Sequence, residues 1–244
     1  MAEQALIQGA ARGIGLGLTR QLLDRGAHVV ATCRNPETAH ALHELHSDRL
    51  RVLRLDVREE ASIADAAAKV RETTDRLHLL MNVSGLLHDG DLQPEKKLQH
   101  ATLPNLQRVF EVNAFGPLLV AKHFAPFFAH RERSVLANLS ARVGSIGDNR
   151  LGGWYAYRAS KAAQNMFTKN LAIELGRRSK TLAVIALHPG TVDTNLSAPF
   201  SSRVPEEKLF RVERAATQLL DVIDKITPED TGQFFAWDGS SIPW

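Results

Sequence analysis

The feature of this chain that most restricts its fold is a regular alternation of short apolar runs with longer amphipathic stretches. The short runs are rich in Val, Leu and Ile, which is typical of strands buried on both faces of a parallel sheet. They predict seven strands, at residues 5–8, 28–33, 51–56, 77–82, 134–139, 181–187 and 234–237. Strands that alternate with helices in this way predict an α/β protein.

The longer stretches predict the helices that cover the sheet. They lie at residues 13–25, 36–46, 59–75, 102–129, 153–177 and 205–226. No composition break or internal repeat divides the 244 residues, so we expect one domain, residues 1–244. Right-handed crossovers then give a single-domain Rossmann fold with a doubly wound seven-stranded parallel sheet, which binds ligands at the carboxyl ends of its strands.

Composition argues against several classes of partner. No segment approaches the roughly 18 apolar residues of a membrane span, so no membrane partner is expected. The 30 basic and 27 acidic residues are interspersed, which argues against nucleic acid. The first residues lack a signal-peptide pattern and Cys33 is the only cysteine, and both features predict a cytoplasmic location.

Three histidines, His40, His43 and His46, recur on the predicted second helix. This spacing moves them around the helix, and no carboxylate or thiol set accompanies them. We therefore expect no metal.

The segment "IQGAARGIG" directly follows the first predicted strand and opens the first helix. Gly9, Gly13 and Gly15 lie where the backbone must turn tightly and approach a phosphate, and Ile14 lies between the last two. Because a helix N-terminus has unpaired N–H groups and partial positive charge, this segment predicts a dinucleotide site.

Two arginines indicate which dinucleotide is bound. An acidic residue about 20 positions after the glycines selects NAD, whereas an arginine accommodates the 2′-phosphate of NADP. Here that position holds Arg34, and Arg12 lies inside the glycine loop. Two guanidinium groups suit a dianionic phosphate, so the predicted cofactor is NADP(H).

The stretch "GGWYAYRASKAAQNMF" contains the candidate catalytic tyrosine. On a helix Lys161 lies one turn from Tyr157, whereas Tyr155 has Ala159 at that spacing. A nearby ammonium favours the phenolate, so we expect Lys161 to lower the pKa of Tyr157 and make it a usable acid/base.

Further motifs follow in order along the chain: "LDV" after the third strand, "NVSG" after the fourth, "NAFG" in the fourth helix and "HPGTVDT" after the sixth strand. With the glycine loop and "YRASK", they resemble the short-chain dehydrogenase/reductase family over nearly the whole chain. The segment "GSIGDNRLGGWYAYRASKAA" and the ending "FFAWDGSSIPW" are similar to the branch of sniffer-type carbonyl reductases and C-factor signalling proteins.

The resemblance implies a role for each matching residue. Tyr157 would be the acid/base, Lys161 would also bind the nicotinamide ribose, and Asn113 would hold a water in a proton relay with the lysine. The remaining implied cofactor contacts are Asp56 and Val57 at the adenine, Asn82 and Gly85 beside the cofactor, and Pro189, Gly190, Val192 and Thr194 around the nicotinamide amide.

Three positions depart from the family pattern. Gln8 replaces the usual Thr before the first glycine, and "NVSG" replaces "NNAG". The catalytic serine is usually the second of a Ser-Ser pair, but here the pair is Ser140-Ala141. Ser140 and Ser145 both remain candidates for the hydroxyl that binds the substrate oxygen. If neither reaches it, the transition state loses about 3 kcal/mol of stabilisation.

The predicted function is NADP(H)-dependent reduction of a small, largely apolar aldehyde or ketone. The alternative is a weakly catalytic dinucleotide-binding signalling protein, which the C-factor resemblance and Ala141 favour. Residues 193–212 lack a clear period before Pro205, so we expect a substrate lid there. Trp154, Phe200 and Phe210 are expected to form an apolar pocket. Apolar stripes on the fourth and fifth predicted helices indicate a homodimer or homotetramer.

Overall fold

A seven-stranded parallel sheet forms the centre of the protein in the computed structural model, which describes residues 4–201 and 204–244. The strands of these residues are β1 (Gln4–Gln8), β2 (His28–Cys33), β3 (Leu50–Arg54), β4 (Leu79–Asn82), β5 (Ser134–Leu139), β6 (Leu182–His188), β7 (Thr191–Val192), β8 (Leu209–Phe210) and β9 (Phe234–Ala236). The main sheet has the order β3-β2-β1-β4-β5-β6-β9, with every neighbouring pair parallel. The predicted α/β class and doubly wound sheet are confirmed.

Helices cover both faces of this sheet. Those of the described residues are α1 (Gly13–Asp24), α2 (His40–His43), α3 (Glu60–Arg71), α4 (Leu103–Phe110), α5 (Gly116–Phe124), α6 (Tyr155–Arg178), α7 (Ala198–Ser201) and α8 (Val212–Lys225). Apolar residues of α1, α2 and α8 pack against one face, and those of α3, α5 and α6 pack against the other. Burial of these two apolar layers drives the arrangement, since each helix has one apolar stripe to remove from water.

The strand order reverses at β1, which places the ligand-binding edge. From β1 the chain proceeds outward to β2 and β3, then returns to β4 on the other side of β1. Gln8 and Asn82 lie opposite each other at the carboxyl ends of β1 and β4. Ligands of doubly wound sheets bind in the crevice outside such a reversal.

Two predicted helices are shorter than expected. Residues 36–46 form only a 3₁₀ turn at Pro36–Thr38 and the single-turn α2. The last predicted helix, residues 205–226, begins only at Val212, because β8 pairs with β7 just before it and buries Phe210. The late start of α8 thus follows from a tertiary contact that local propensity does not encode.

The predicted fourth helix, residues 102–129, is interrupted by a π turn at Glu111–Phe115. Pro117 explains the interruption, because proline has no N–H to donate to the Asn113 carbonyl four residues earlier and its ring crowds that carbonyl. π turns inside α-helices are frequent at functional sites. This one places the buried Asn113 against the loop after β4 and against α6.

Candidate active site

Glycines shape the loop between β1 and α1. Gly9 and Gly13 adopt positive φ angles of 85° and 54°. A Cβ on Gly15 would lie 2.2 Å from the Gly9 carbonyl oxygen, and one on Gly9 would lie 2.8 Å from the Ser84 nitrogen. No side chain of the described residues caps α1, so its first N–H groups are free to bind an anion. The crowded backbone and the uncapped helix fit a pyrophosphate.

The loop after β6 lies against the glycine loop. A Cβ on Gly13 would be 3.3 Å from the Thr194 methyl carbon, and Ile14 packs beside the buried Val192. Pro189 is also buried. Residues that the resemblance assigns to the nicotinamide amide therefore lie against the glycine loop, which is predicted to bind the pyrophosphate.

Phe210 was expected to line the pocket with Trp154, but it lies elsewhere. Its ring packs edge-on against Trp237, with ring centres 4.8 Å apart, and the Arg214 guanidinium lies 4.0 Å from its centre. A Cβ on Gly190 would lie 2.6 Å from the Phe210 ring. The expectation was wrong because β8 turns Phe210 inward beneath the loop after β6, where it supports the backbone.

Two departures from the family pattern contact each other. Gln8 Oε1 accepts a hydrogen bond from the Ser84 hydroxyl at 2.8 Å, so the glutamine and the serine of "NVSG" join the ends of β1 and β4. Asn82 lies beside them, but its amide donates to Asn138 Oδ1 at 2.8 Å and its side chain is buried within the scaffold. The Asn82 amide thus links the ends of β4 and β5, and its side-chain oxygen has no hydrogen-bond partner among the described residues.

Charged residues define the expected adenine end. The buried Asp56 carboxylate accepts two hydrogen bonds from the Arg58 guanidinium, at 3.0 and 2.6 Å, while Val57 beside it is buried. These hydrogen bonds, with a smaller contribution from the charge of Arg34, lower the pKa of Asp56. Arg12 and Arg34 are exposed. This end of the cleft is thus positively charged.

Tyr157 and Lys161 are both buried, one turn apart in α6. The Lys161 ammonium nitrogen lies 6.0 Å from the centre of the Tyr157 ring and donates to the Leu139 carbonyl at 2.7 Å. Burial raises the pKa of Tyr157 to about 12 and lowers the pKa of Lys161 to about 7. The direction for Tyr157 is opposite to the one expected from the sequence, because loss of solvation disfavours each charged form.

Asn113 is held rigidly beside this pair. Its amide donates to the Leu86 carbonyl at 2.8 Å and to the Ser160 hydroxyl at 3.1 Å, and its oxygen accepts the Leu86 N–H at 2.7 Å. A Cβ on Gly85 would lie 3.7 Å from Asn113 Oδ1 and 4.0 Å from Lys161 Nζ, so Gly85 separates the two residues. The side-chain amide of Asn113 is thus fully engaged, so a relay water would have to bind its main-chain carbonyl.

Both candidate serines have other partners. The buried Ser140 hydroxyl donates to Asn165 Oδ1 at 2.7 Å. The Ser145 hydroxyl donates to the Pro243 carbonyl at 2.5 Å. Each hydroxyl has one hydrogen, so neither donates to a substrate oxygen in this arrangement. Ala141, at the family's usual serine position, has no hydroxyl to supply.

An aromatic wall stands over the tyrosine. Trp154 adopts a left-handed backbone conformation with a φ of 49°, and its ring centre lies 6.2 Å from that of Tyr157. The Phe200 ring packs on Trp154 at 5.0 Å and lies 6.0 Å from His88, whose Nε2 is 3.0 Å from the Asn195 carbonyl oxygen. Phe200, in the predicted lid segment, thus contacts Trp154, which in turn contacts Tyr157, while Ser202 and Arg203 lie outside the described residues.

The buried Glu95 and the half-buried His188 also lie near the site. The Glu95 carbonyl accepts the Trp154 N–H at 2.6 Å, and its carboxylate accepts the Ala156 N–H at 3.1 Å, so Glu95 anchors the first turn of α6. Burial lowers the pKa of His188 to about 4, which keeps the ring neutral near pH 7. No local signal marks Glu95, because its partners lie some 60 residues further along the chain.

Within residues 4–201 and 204–244, no helix is long and apolar enough to cross a membrane. No group of three His, Cys, Asp or Glu side chains in these ranges is arranged to hold a metal ion.

The fold and this cleft define a class: α/β oxidoreductases that bind a nicotinamide dinucleotide. The family model of the short chain dehydrogenases matches residues 3–204, and the chain belongs to this family. It is similar to an NADPH-bound carbonyl reductase from chicken fatty liver, with 30% identity, a TM-score of 0.88 and 99% coverage of both chains. It is similar to the carbonyl reductase Sniffer of D. melanogaster, with 26% identity, a TM-score of 0.88 and the same coverage.

A signalling protein is also among the relatives. The C-signal protein of Myxococcus xanthus is 35% identical over 140 residues, which are 57% of this chain and 79% of that protein. The expected family and branch are therefore confirmed, since the similar proteins include both carbonyl reductases and a C-signal protein.

Proposed function

We propose that the protein is an NADPH-dependent reductase of small, largely apolar aldehydes and ketones, with Tyr157 as the general acid. The observation that carries this proposal is that buried Tyr157 lies beside Lys161 and contacts Trp154, against which Phe200 packs. The similar carbonyl reductase from chicken fatty liver has NADPH bound, which supports the choice of cofactor.

Residues of this chain fit each part of the cofactor. The first turn of α1 would hold the pyrophosphate, Arg12 and Arg34 the 2′-phosphate, Asp56 and Val57 the adenine, Lys161 the nicotinamide ribose, and Pro189, Gly190, Val192 and Thr194 the nicotinamide amide. Asn82 and Gly85 would border it. When bound, NADPH supplies the hydride. The preference for NADPH over NADH rests on the two exposed guanidinium groups, which suit a dianionic phosphate.

Tyr157 is suited to the reductive direction. A phenol with a pKa of about 12 retains its proton near neutral pH and can donate it to the substrate oxygen as hydride arrives at the carbonyl carbon. Lys161 lies close enough to stabilise the resulting phenolate, and the main-chain carbonyl of Asn113 would hold the water that returns a proton towards the lysine. Each of these residues is buried, which strengthens their electrostatic interactions.

The substrate class follows from the wall above Tyr157. Trp154, Phe200 and the nearby Leu196 present apolar surface, so an uncharged carbonyl compound gains more from binding there than a keto acid does. The segment 193–212 would act as a lid, with the His88 contact to the Asn195 carbonyl holding it over the substrate. Faster turnover of charged keto acids than of apolar aldehydes would contradict this assignment.

A second candidate function is signalling with weak catalysis. It is favoured by the similarity to C-signal and by the hydrogen bonds that engage Ser140 and Ser145 elsewhere. A site with one donor fewer loses about 3 kcal/mol of transition-state stabilisation in well-studied cases. The intact set of Tyr157, Lys161 and Asn113 argues for a working enzyme.

We also propose a homodimer or homotetramer in the cytoplasm. Apolar side chains on the helical layer of α4 to α6 are exposed, and these are Leu103, Phe115, Met166 and Ile173. Pairing across a two-fold axis would bury them. Light scattering that shows only a 26.9 kDa particle at micromolar concentration would contradict the assembly.

The test of the function is turnover with a panel of aldehydes, ketones, quinones and keto acids, using NADPH and NADH in parallel. We expect NADPH oxidation with apolar aldehydes or ketones and much weaker activity with NADH. Tight NADPH binding without turnover on any substrate would contradict the reductase and favour the signalling protein.

A further inference from the structure

Gln164 contacts the lysine of the proposed catalytic pair. The Lys161 ammonium donates to Gln164 Oε1 at 3.0 Å, and the two residues lie three positions apart on α6. Both side chains are buried, at 1% exposure for Gln164 and 2% for Lys161. The second acceptor of Lys161 is the Leu139 carbonyl at 2.7 Å. The amine is thus held by one backbone and one side-chain oxygen.

The orientation of the Gln164 amide has a cost. Its oxygen faces the Lys161 donor, which leaves its buried nitrogen without a hydrogen-bond partner among the described residues. An unpaired buried N–H lowers stability, and an apolar side chain of similar volume would fill the same space without it. Packing alone therefore does not explain a glutamine at this position.

The surroundings of Lys161 leave few other groups that could stabilise its charge. The titratable group facing it is Tyr157 on the same helix, β5 contributes only the Leu139 carbonyl, and Gly85 separates it from the neutral Asn113 amide. Burial lowers the pKa of Lys161 to about 7, and no charged side chain contributes to that shift. A hydrogen-bond acceptor favours the charged form of the amine.

We propose that Gln164 is a positioning residue that, together with the Leu139 carbonyl, holds Lys161 in place and favours its ammonium form. This inference rests on the proposed function to the extent that Lys161 assists Tyr157. The ammonium form stabilises the phenolate left after proton transfer, so loss of the Gln164 acceptor reduces activity at a pH where Lys161 becomes neutral.

The first experiment compares the pH dependence of kcat/KM for wild type, Gln164→Met and Gln164→Glu. Methionine keeps the size of the side chain and removes the acceptor. The fall of kcat/KM on the alkaline side of the profile (the alkaline limb) should therefore begin about one pH unit lower than in wild type. At a fixed pH on that limb this shift is about a tenfold loss of rate. Glutamate adds a negative partner for the amine, so the limb should move up.

The second experiment needs neither cofactor nor turnover. Denaturant unfolding of Gln164→Met and wild type is measured between pH 6 and pH 9. Below the pKa of Lys161 the charged amine lacks its acceptor in the variant, so the stability deficit should be larger at pH 6 than at pH 9. Thr168→Val is the matched control, because Thr168 is equally buried on α6. Its hydroxyl donates a hydrogen bond to the main-chain carbonyl of Gln164 and does not contact Lys161. Its deficit should not change with pH.

Identical alkaline limbs in all three proteins, with a pH-independent stability deficit for Gln164→Met, would overturn the proposal and leave Gln164 as a packing residue. If the wild type shows no Tyr157-dependent turnover, the proposed function fails, and the unfolding experiment then decides the role of Gln164 on its own.

Discussion

The predicted cofactor end of the cleft, at the glycine loop, and the predicted chemical end, at Tyr157 and Lys161, are formed by different parts of the chain. At the cofactor end the backbone forms the site, through the positive φ angles of Gly9 and Gly13 and the uncapped start of α1. At the chemical end buried side chains form it, and the groups beside Tyr157 and Lys161 are already engaged with one another. One end is open to a ligand, whereas the other is tightly connected.

The difference shows what controls each end. Crowding at the cofactor end is steric, so a single added methyl group should disrupt it. Chemistry at the other end depends on which hydrogens are free, and Ser140 and Ser145 have none to offer because they donate to Asn165 and Pro243. Substitutions at the two ends should therefore change different measured quantities.

Gly15→Ala should produce the largest of these effects. The added Cβ would meet the Gly9 carbonyl oxygen at 2.2 Å, and a backbone atom cannot yield without moving the loop. We expect a stability loss of about 1–3 kcal/mol. Loop displacement of about 1 Å should reduce NADPH affinity by about 100-fold. Fluorescence titration and denaturant unfolding measure the two quantities.

Gly176→Ala is the control for that substitution. A Cβ at Gly176, near the end of α6, meets no atom within 4 Å. The free energy of unfolding of this variant should therefore increase by about 0.5–1 kcal/mol, and its NADPH affinity should equal that of wild type. If Gly15→Ala binds NADPH as tightly as wild type does, steric crowding does not control the cofactor end.

Ala141→Ser tests the chemical end by adding the missing donor. A second hydrogen bond to the developing oxyanion should raise kcat/KM by about 10- to 100-fold, because loss of such a donor typically costs 10²–10³. Ser140→Ala should instead lose about 1 kcal/mol of stability with little change in kcat/KM. If Ala141→Ser is silent and Ser140→Ala is inactive, Ser140 is the donor and this part of the comparison is wrong.

Arg34→Ala tests the contribution of charge at the cofactor end, where the Arg34 guanidinium adds positive charge to a site formed mainly by the backbone. Loss of a charge-assisted contact to the 2′-phosphate should weaken NADPH binding by about tenfold and leave NADH binding unchanged. As a control, Arg178→Ala removes an exposed arginine at the end of α6 and should alter neither the NADPH affinity nor the NADH affinity. Equal weakening for both cofactors would mean that Arg34 does not recognise the 2′-phosphate.

A further effect concerns stability at acid pH. The pKa of His188 is lowered to about 4, below the value of about 6.5 of an unperturbed histidine. The unfolded chain therefore binds more protons between pH 6.5 and 4, and stability falls as pH falls through that range. His188→Gln should show a shallower fall than wild type in denaturant unfolding. Parallel curves would show that burial of His188 does not disfavour its charged form.

Much of the fold could be predicted because its signals are local. The apolar runs predicted all seven strands of the main sheet within a few residues, and the glycine loop was predicted between β1 and α1. The pairing of β7 with β8 was missed, because each is only two residues long. Local periodicity carries no information about such a pair.

The candidate site was less predictable, because its geometry depends on distant partners. The Ser145 hydroxyl bonds a carbonyl 98 residues away, and the Gln8 side chain bonds Ser84, 76 residues away. The pKa of Tyr157 rises because packing buries it, which the spacing to Lys161 alone does not show. Sequence motifs thus predict which residues meet in the cleft, but not which of their hydrogens are free.

The most direct test of the central claim compares wild type and Tyr157→Phe in NADPH affinity and in NADPH oxidation with an apolar aldehyde. Phenylalanine keeps the buried ring and removes only the hydroxyl, so NADPH affinity should be nearly unchanged while turnover falls by about 10²–10⁴-fold, the usual contribution of a general acid. Turnover equal to wild type would contradict the assignment of Tyr157 as the proton donor.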